Sequence, residues 1–320
     1  MRQAFGAQYG REQLPVPAWS SEFQLEDFSN VIANVLGVGA DFRALYFSRR
    51  SPGVSAADGF YDMQGDLYLN FRIARHVAFF LKKGLRDGFE AYGLFNLLPL
   101  GGHVKVGKFV PNYGLRTDDH TTYVRQQTAM SPESGRPERT GLEAGISPGP
   151  ISIVGGLYNG DESAFVPSTS AKAYLGRAEG IFVLGEGLNL CVGGNVFTGR
   201  VGGISSTFYG GFGSFSAGSL TLLAEADWIR TKSPVGATRT GLATCVEGDF
   251  VVTQGLDVKA MYEFFDNDID FQTGARSRYS FGLEFFPLPG VELRPLYRFV
   301  REDPPVGDNS EIDLLLHLYL

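Results

Sequence analysis

Three residues in a row, Asp118, Asp119 and His120, are the part of this chain most like a reactive centre. A histidine can take a proton from water while neighbouring carboxylates orient its ring, which is general-base hydrolysis. The other histidines, His76, His103 and His317, are scattered, so no metal-ligand spacing forms and a plain polar role suits each. Cys191 and Cys245 make neither a disulfide framework nor a Cys-x-x-Cys-His haem-attachment motif. No metal and no resident cofactor are expected, and any haem would arrive on a partner.

The remaining chemistry is electrostatic. Bases at Arg43, Arg72, Arg276, Arg278, Arg294 and Arg298, and acids at Glu225, Asp227, Glu247, Asp249 and Asp257, sit in stretches where polar and apolar residues alternate. Opposed charges across a narrow, partly desolvated gap set up a field that orients and sorts polar solutes. Charges that only pair with neighbours solvate a surface and are worth little individually. Which of these holds depends on the elements that carry the charges.

Those elements are strands. From Tyr61 to Ile73, Asp62, Gln64, Asp66, Tyr68, Asn70 and Arg72 share one face, and Tyr61, Met63, Leu67, Leu69, Phe71 and Ile73 share the other. A period of two is the mark of a β-strand with one wet and one apolar side. The pattern recurs near 34–49, 60–74, 76–84, 87–99, 102–110, 138–147, 150–159 and 170–184. It continues near 187–199, 203–216, 219–231, 239–253, 256–267, 274–287, 290–302 and 309–320. The connections sort themselves as well. Every second one is a tight turn rich in Gly, Pro and polar residues, such as Ala217-Gly218 and Gln254-Gly255. Most of those between are longer, with 111–137 by far the longest.

About sixteen antiparallel strands, with short turns at one rim and long loops at the other, predict an all-β transmembrane β-barrel. The 42 Gly and 40 Phe plus Tyr among 320 residues fit it, and no run of eighteen apolar residues offers a helical span instead. A closed sheet of this size is too wide for side chains to fill, so the polar face must line the lumen and the apolar face must meet lipid. Aromatics on that outer face, Tyr61, Tyr174, Trp228, Tyr279 and Phe299, fall near strand ends, where membrane girdles lie. The net charge of −7 without a basic cluster excludes nucleic acid as a partner.

Residues 1–30 read as an irregular lead-in and 31–320 as the barrel. The first residues lack the charged and apolar regions of a signal peptide, so an exported chain would have its signal outside this sequence. An even strand count puts both termini on the short-turn rim, the periplasmic side of a bacterial outer membrane.

With the first strand starting at that rim, 111–137 is the third long connection. In this the chain resembles the sixteen-stranded outer-membrane porins, in which the third external loop folds into the lumen and narrows it. The resemblance covers most of the chain but is architectural. It departs at the end, where Tyr319 is penultimate and Leu320 last, whereas such barrels usually end in an aromatic residue. It implies a passive channel for small polar solutes or ions, a homotrimer in outer-membrane lipid, and a constriction loop. Candidates in that loop are Asp118, Asp119, His120, Arg125 and Glu133, with the acids facing a basic wall of Arg43, Arg72, Arg276, Arg278, Arg294 and Arg298. Glu225, Asp227, Glu247, Asp249 and Asp257 form an acidic wall away from it. The segment from Gly107 to His120 is also similar to one in uncharacterised outer-membrane barrels associated with multihaem cytochromes, which implies a sheath for an electron-transfer partner as the alternative. Asp118-Asp119-His120 is similar to the Asp/His arrangement of omptin-like outer-membrane proteases. Those barrels are smaller and draw their catalytic pairs from opposite walls, so no enzyme is expected here.

Overall fold

A computed structural model describes residues 13–20, 31–33, 35–50, 57–85, 88–117, 119–130, 137–160, 167, 169–233, 236–304 and 309–320. Sixteen long strands follow one another: β1 Leu36–Arg50, β2 Ala57–Ala74, β3 Val77–Gly84, β4 Phe89–Leu98, β5 Gly102–Phe109, β6 Arg139–Ile146, β7 Ile151–Asn159 and β8 Lys172–Gly185. The second half comprises β9 Leu188–Val201, β10 Ile204–Ala217, β11 Leu220–Lys232, β12 Thr238–Thr253, β13 Leu256–Asp266, β14 Arg276–Leu288, β15 Val291–Glu302 and β16 Asn309–Tyr319. Each pairs antiparallel with its successor, and β16 closes on β1, with Leu314 opposite Tyr46 and His317 opposite Arg43. The result is an all-β, closed, sixteen-stranded barrel. Closure leaves no open strand edge, which a backbone in hydrocarbon requires.

The turns follow from composition. Gly187, Gly218, Gly255 and Gly290 all take positive φ in the tight connections of one rim, a conformation open to Gly at little cost. The outer face is apolar, with Leu222, Val246, Val258, Phe281 and Leu314 all exposed. Toward the long-loop rim it carries an aromatic band: Tyr209 stacks on Trp228 at 5.8 Å, Tyr262 meets Tyr279 at 5.1 Å, and Tyr46 meets Phe60 at 5.2 Å. This is the lipid-facing belt of a transmembrane barrel, capped by amphipathic rings at headgroup level.

One strand departs from simple alternation. Gln64 pairs with Arg43 but Asp62 pairs with Ala44, so Met63 is an extra residue, a β-bulge. Beyond it the faces of β2 exchange. Met63 is buried in the lumen beside Leu45 and Leu315, while Asp62 is exposed and Phe60, 87% exposed, points out. The assignment of Asp62 to the lumen and of Tyr61 and Met63 to the lipid face is corrected by that bulge; Phe60 takes the girdle position expected of Tyr61.

Of the lead-in expected at 1–30, only residues 13–20 are described. Helix α1, Pro17–Ser20, rests near the short-turn rim, where the Val16 N–H donates to Phe286 O at 3.0 Å and Trp19 meets Phe285 edge-on at 5.7 Å. Val31–Ile32 folds back on Leu36 and Gly37 at the start of β1.

Candidate functional site

The long connection between β5 and β6 turns inward rather than out. It leaves β5 at Phe109 and is fastened at once to inward-facing carboxylates: the Val110 N–H donates to Glu90 Oε2 at 3.2 Å and the Asn112 N–H to Glu143 Oε1 at 2.9 Å. It then crosses to the far wall. Tyr113 Oη donates to Asp227 Oδ1 at 2.7 Å, the Gly114 N–H to Asn195 Oδ1 at 2.8 Å, and the Leu115 N–H to Glu225 Oε2 at 2.9 Å. Arg177 donates to Gly114 O at 2.6 Å. Gly114 has φ +65°, and a Cβ there would run into the Glu225 carboxylate, so this position needs glycine on both counts.

A second set of contacts holds the turn that follows. Asp119 Oδ1 accepts from the N–H and Oγ1 of Thr121 at 2.8 and 2.6 Å, and Asp119 Oδ2 accepts from Arg298 Nη2 at 2.8 Å. Arg298 also donates to Thr121 Oγ1 at 2.7 Å and pairs with Asp313 at 2.8 Å. Arg278 grips Glu263 through two nitrogens at 2.6 and 2.8 Å and donates to Thr121 O at 2.6 Å. Arg43 Nη1 lies 3.3 Å from His120 Nε2. Burial alone would raise the Asp119 carboxyl, but the guanidinium groups of Arg298, Arg294 and Arg278 hold it well below the usual carboxylate range. Helix α2, Tyr123–Gln127, follows, its Tyr123 N–H donating to Glu263 Oε1 at 2.8 Å.

Beneath this polar fastening is an apolar one. Phe109, Tyr158, Leu175, Phe197 and Phe208, all on the inner face toward the long-loop rim, form a buried cluster with Tyr113, Val124 and Met130 of the loop. The expectation of a uniformly polar interior is corrected here: the loop brings its own apolar side, and the wall beneath it is apolar to match. A fully buried side chain of this kind contributes about 1.5–3 kcal/mol, so the loop is a packed element of the lumen.

Not every site residue expected from the sequence falls in this constellation. Arg43, Arg278 and Arg298 meet the loop directly, and Arg294 stands beside them, pairing with Glu284 and Glu292 at 3.3 and 3.5 Å. Arg72 is exposed near the short-turn end of β2, eight residues along the strand from Gln64, the partner of Arg43. Arg276 is exposed at the opposite rim, pairs with Glu302 at 3.4 Å and lines a cavity of about 570 Å³ with Gln127 and Asp266. Both are corrected out of the basic wall, because sharing a face does not place residues at one depth. Glu225 and Asp227 serve the loop. Glu247 and Asp249 bind Lys259 at 2.7 and 3.2 Å, so that part of the acidic wall is half neutralised. Asp257 lies one pleat nearer the short-turn rim, opposite Glu284. Arg125 braces the loop internally, donating to Thr117 O and Met130 O at 3.4 and 3.2 Å. Asp118 and Glu133 lie outside the described residues. Sequence reasoning missed Glu90, Glu143 and Asn195 as loop-holding groups on the wall, marked in advance only by their inward parity, and Thr121 within the loop, which alternation does not mark.

These features define a class: a closed sixteen-stranded transmembrane barrel whose third long connection is folded into its lumen. No protein-family model matches the chain, and no curated protein matches it. Solved structures do. The anion-selective porin from Comamonas acidovorans superposes with a TM-score of 0.63 at 11% identity, over 89% of this chain and 99% of that one. The outer-membrane channel DcaP of Acinetobacter baumannii gives 0.64 at 11% identity, over 90% and 99%. OmpT, an outer membrane protein of Vibrio cholerae in a trimer form, gives 0.63 at 12% identity, over 89% and 99%. The fold of this chain is that of the sixteen-stranded outer-membrane porins.

Proposed function

We propose that this protein is a porin-like channel of the bacterial outer membrane through which small polar solutes or ions diffuse passively, past a constriction made by the inward loop. The observation that carries this reading is the fastening of one loop to walls on nearly opposite sides of the lumen, through Glu90 on β4 and Glu225 and Asp227 on β11, with Arg298 on β15 as a further hold. A loop held this way narrows a passage at a fixed depth, and charged groups at such a narrowing sort solutes. The likeness to structures described as porins and as an outer-membrane channel supports the same reading.

Asp119 and His120, the residues closest to a hydrolytic pair, are engaged by Arg298 and Arg43, which supports a fastening role over a catalytic one. A cytochrome sheath would first have to displace the loop from its wall contacts. A homotrimer with periplasmic termini completes the proposal, supported by the trimer form described for the Vibrio protein; chemical cross-linking in mild detergent should trap three chains.

The deciding experiment is single-channel recording in a planar bilayer. Discrete ohmic steps are expected from the purified, heat-modifiable barrel, and a folded barrel that gives no current would overturn the channel reading. A haem-staining band that travels with the chain through purification would favour the sheath.

A further inference from the structure

We propose that the passage left beside the loop is a binding slot for flat, ring-bearing organic monoanions, the class of the aromatic carboxylates; this rests on the channel reading and deepens it. The loop's hydrogen bonds and ion pairs with the wall fall on β1, β4, β6, β8, β9, β11 and β13–β15. Among the described residues none falls on β2 or β3. The inner face of that sector and of the adjoining β4 carries aromatic rings that the loop leaves half-buried. Tyr68, Phe80 and Tyr92, on three successive strands, follow one another with ring centroids 6.1 and 5.0 Å apart, and each is only half-buried. Gly107, at φ +143°, leaves Tyr92 its space: a Cβ there would strike the Tyr92 backbone.

Two cations frame these rings. Lys105 Nζ lies 4.4 Å from the centre of the Tyr92 ring and 3.8 Å from that of Phe109. Arg116 is exposed and reaches back only to the carbonyls of Val110 and Pro111, at 3.0 and 3.2 Å. Neither forms an ion pair with a described residue, whereas Lys82, Arg177, Lys259, Arg278 and Arg298 all do. An anion arriving at Lys105 and Arg116 therefore breaks no existing pair, and Arg116 can take a carboxylate through its planar fork. Rings spaced by about one ring width offer successive offset-stacking partners to an aromatic body. The nearby carboxylates of Glu90 and Glu143, tied to the loop backbone, weigh against a doubly charged ligand.

Three probes separate the parts of this recognition: phenylacetate carries ring and charge, acetate charge alone, 2-phenylethanol ring alone. In single-channel recordings, phenylacetate is expected to produce concentration-dependent blocking events at least tenfold more readily than either of the others. Titration calorimetry on the detergent-folded protein should show the same order, with Lys105→Gln and Tyr92→Ala each weakening phenylacetate at least tenfold. Heat-modifiability on gels confirms that each variant is folded. Open channels in which phenylacetate acts like acetate would overturn the slot and leave the channel reading standing. Absent current with intact calorimetric binding would overturn the channel reading and leave the slot standing. Absent binding by calorimetry overturns the slot in either case.

Discussion

Arg298 and Asp119 lie 179 positions apart in the chain, and their side chains meet at 2.8 Å inside the barrel. Both are almost wholly buried, and the same guanidinium serves Thr121 and Asp313. Removing one member of a buried pair leaves the other charge uncompensated, at a cost of about 3–5 kcal/mol. Arg298→Ala should therefore raise the undocked population of the loop by roughly a hundredfold or more, since about 1.4 kcal/mol is a factor of ten. Larger or flickering conductance and faster proteolysis within residues 110–138 are the expected signs. Wild-type conductance and wild-type protease resistance together would show that the pair does not hold the loop.

The same pair fixes how the loop should respond to acid. The Asp119 carboxyl is held below its ordinary range by Arg298, Arg294 and Arg278. Such a group contributes docking free energy that is fully present above the ordinary carboxylate pKa of about 3.9, and loses it only as pH falls through the lower docked-state value. The share of protease resistance that Asp119 supplies, read as the difference between wild type and Asp119→Asn, should thus be the same at pH 7 and pH 5. A loop that loosens between those values would assign its docking to some other titrating group.

Gly114 tests the opposite end of the crossing. Alanine there would hold a left-handed conformation costing roughly 1–2 kcal/mol, and would press on the Glu225 carboxylate. Gly114→Ala should leave the barrel folded but make its current noisy. Wild-type noise in Gly114→Ala would show that neither the backbone strain nor the contact with Glu225 bears on the loop's position.

The outer belt makes a prediction of depth. Ala260 faces out near the middle of β13, whereas Trp228 stacks on Tyr209 near the long-loop rim. Arginine on the lipid face costs about 2–4 kcal/mol at the midplane and about 0–1 kcal/mol near the interface. Ala260→Arg should thus destabilise the barrel more than Trp228→Arg, once about 0.5–1.5 kcal/mol is allowed for the lost ring contact. Urea-dependent refolding into lipid vesicles measures both, and equal penalties would contradict the placement of the belt.

Strand number, order and rim assignment were legible because each rests on a local signal: a period of two, or a turn residue every ten to fifteen positions. The Met63 bulge was not, because one extra residue in β2 changes no composition and only reverses the faces beyond it. The path of the loop was half legible. Its length and acids pointed inward to Arg43, Arg278 and Arg298, but depth along a strand has no signature in alternation, so Arg72 and Arg276 were grouped with residues far from them. The apolar patch under the loop left a trace that alternation alone overrides: Phe109 on β5 and Tyr158, Leu175, Phe197 and Phe208 on β7 to β10 hold lumen-facing positions where polar residues were expected.

Lys259 offers the sharpest test of whether the far wall faces an ion path. Its ammonium group touches three carboxylates, Glu247 at 2.7 Å, Asp249 at 3.2 Å and Glu284 at 2.9 Å. Lys259→Met keeps the length of the side chain and removes its charge, leaving three acids with one cation fewer; Arg294 still reaches Glu284 at 3.3 Å. Two effects should appear together. Stability should fall by about 3–5 kcal/mol, as expected when a buried charge loses its partner. The reversal potential in a potassium chloride gradient should also shift toward that of potassium, because an uncompensated acidic cluster beside a narrow lumen draws cations. Lys259→Met/Glu284→Gln should recover part of both. A fall in stability without any shift in reversal potential would place these carboxylates off the conducting route and confine that route to the opposite wall, along β2 to β5.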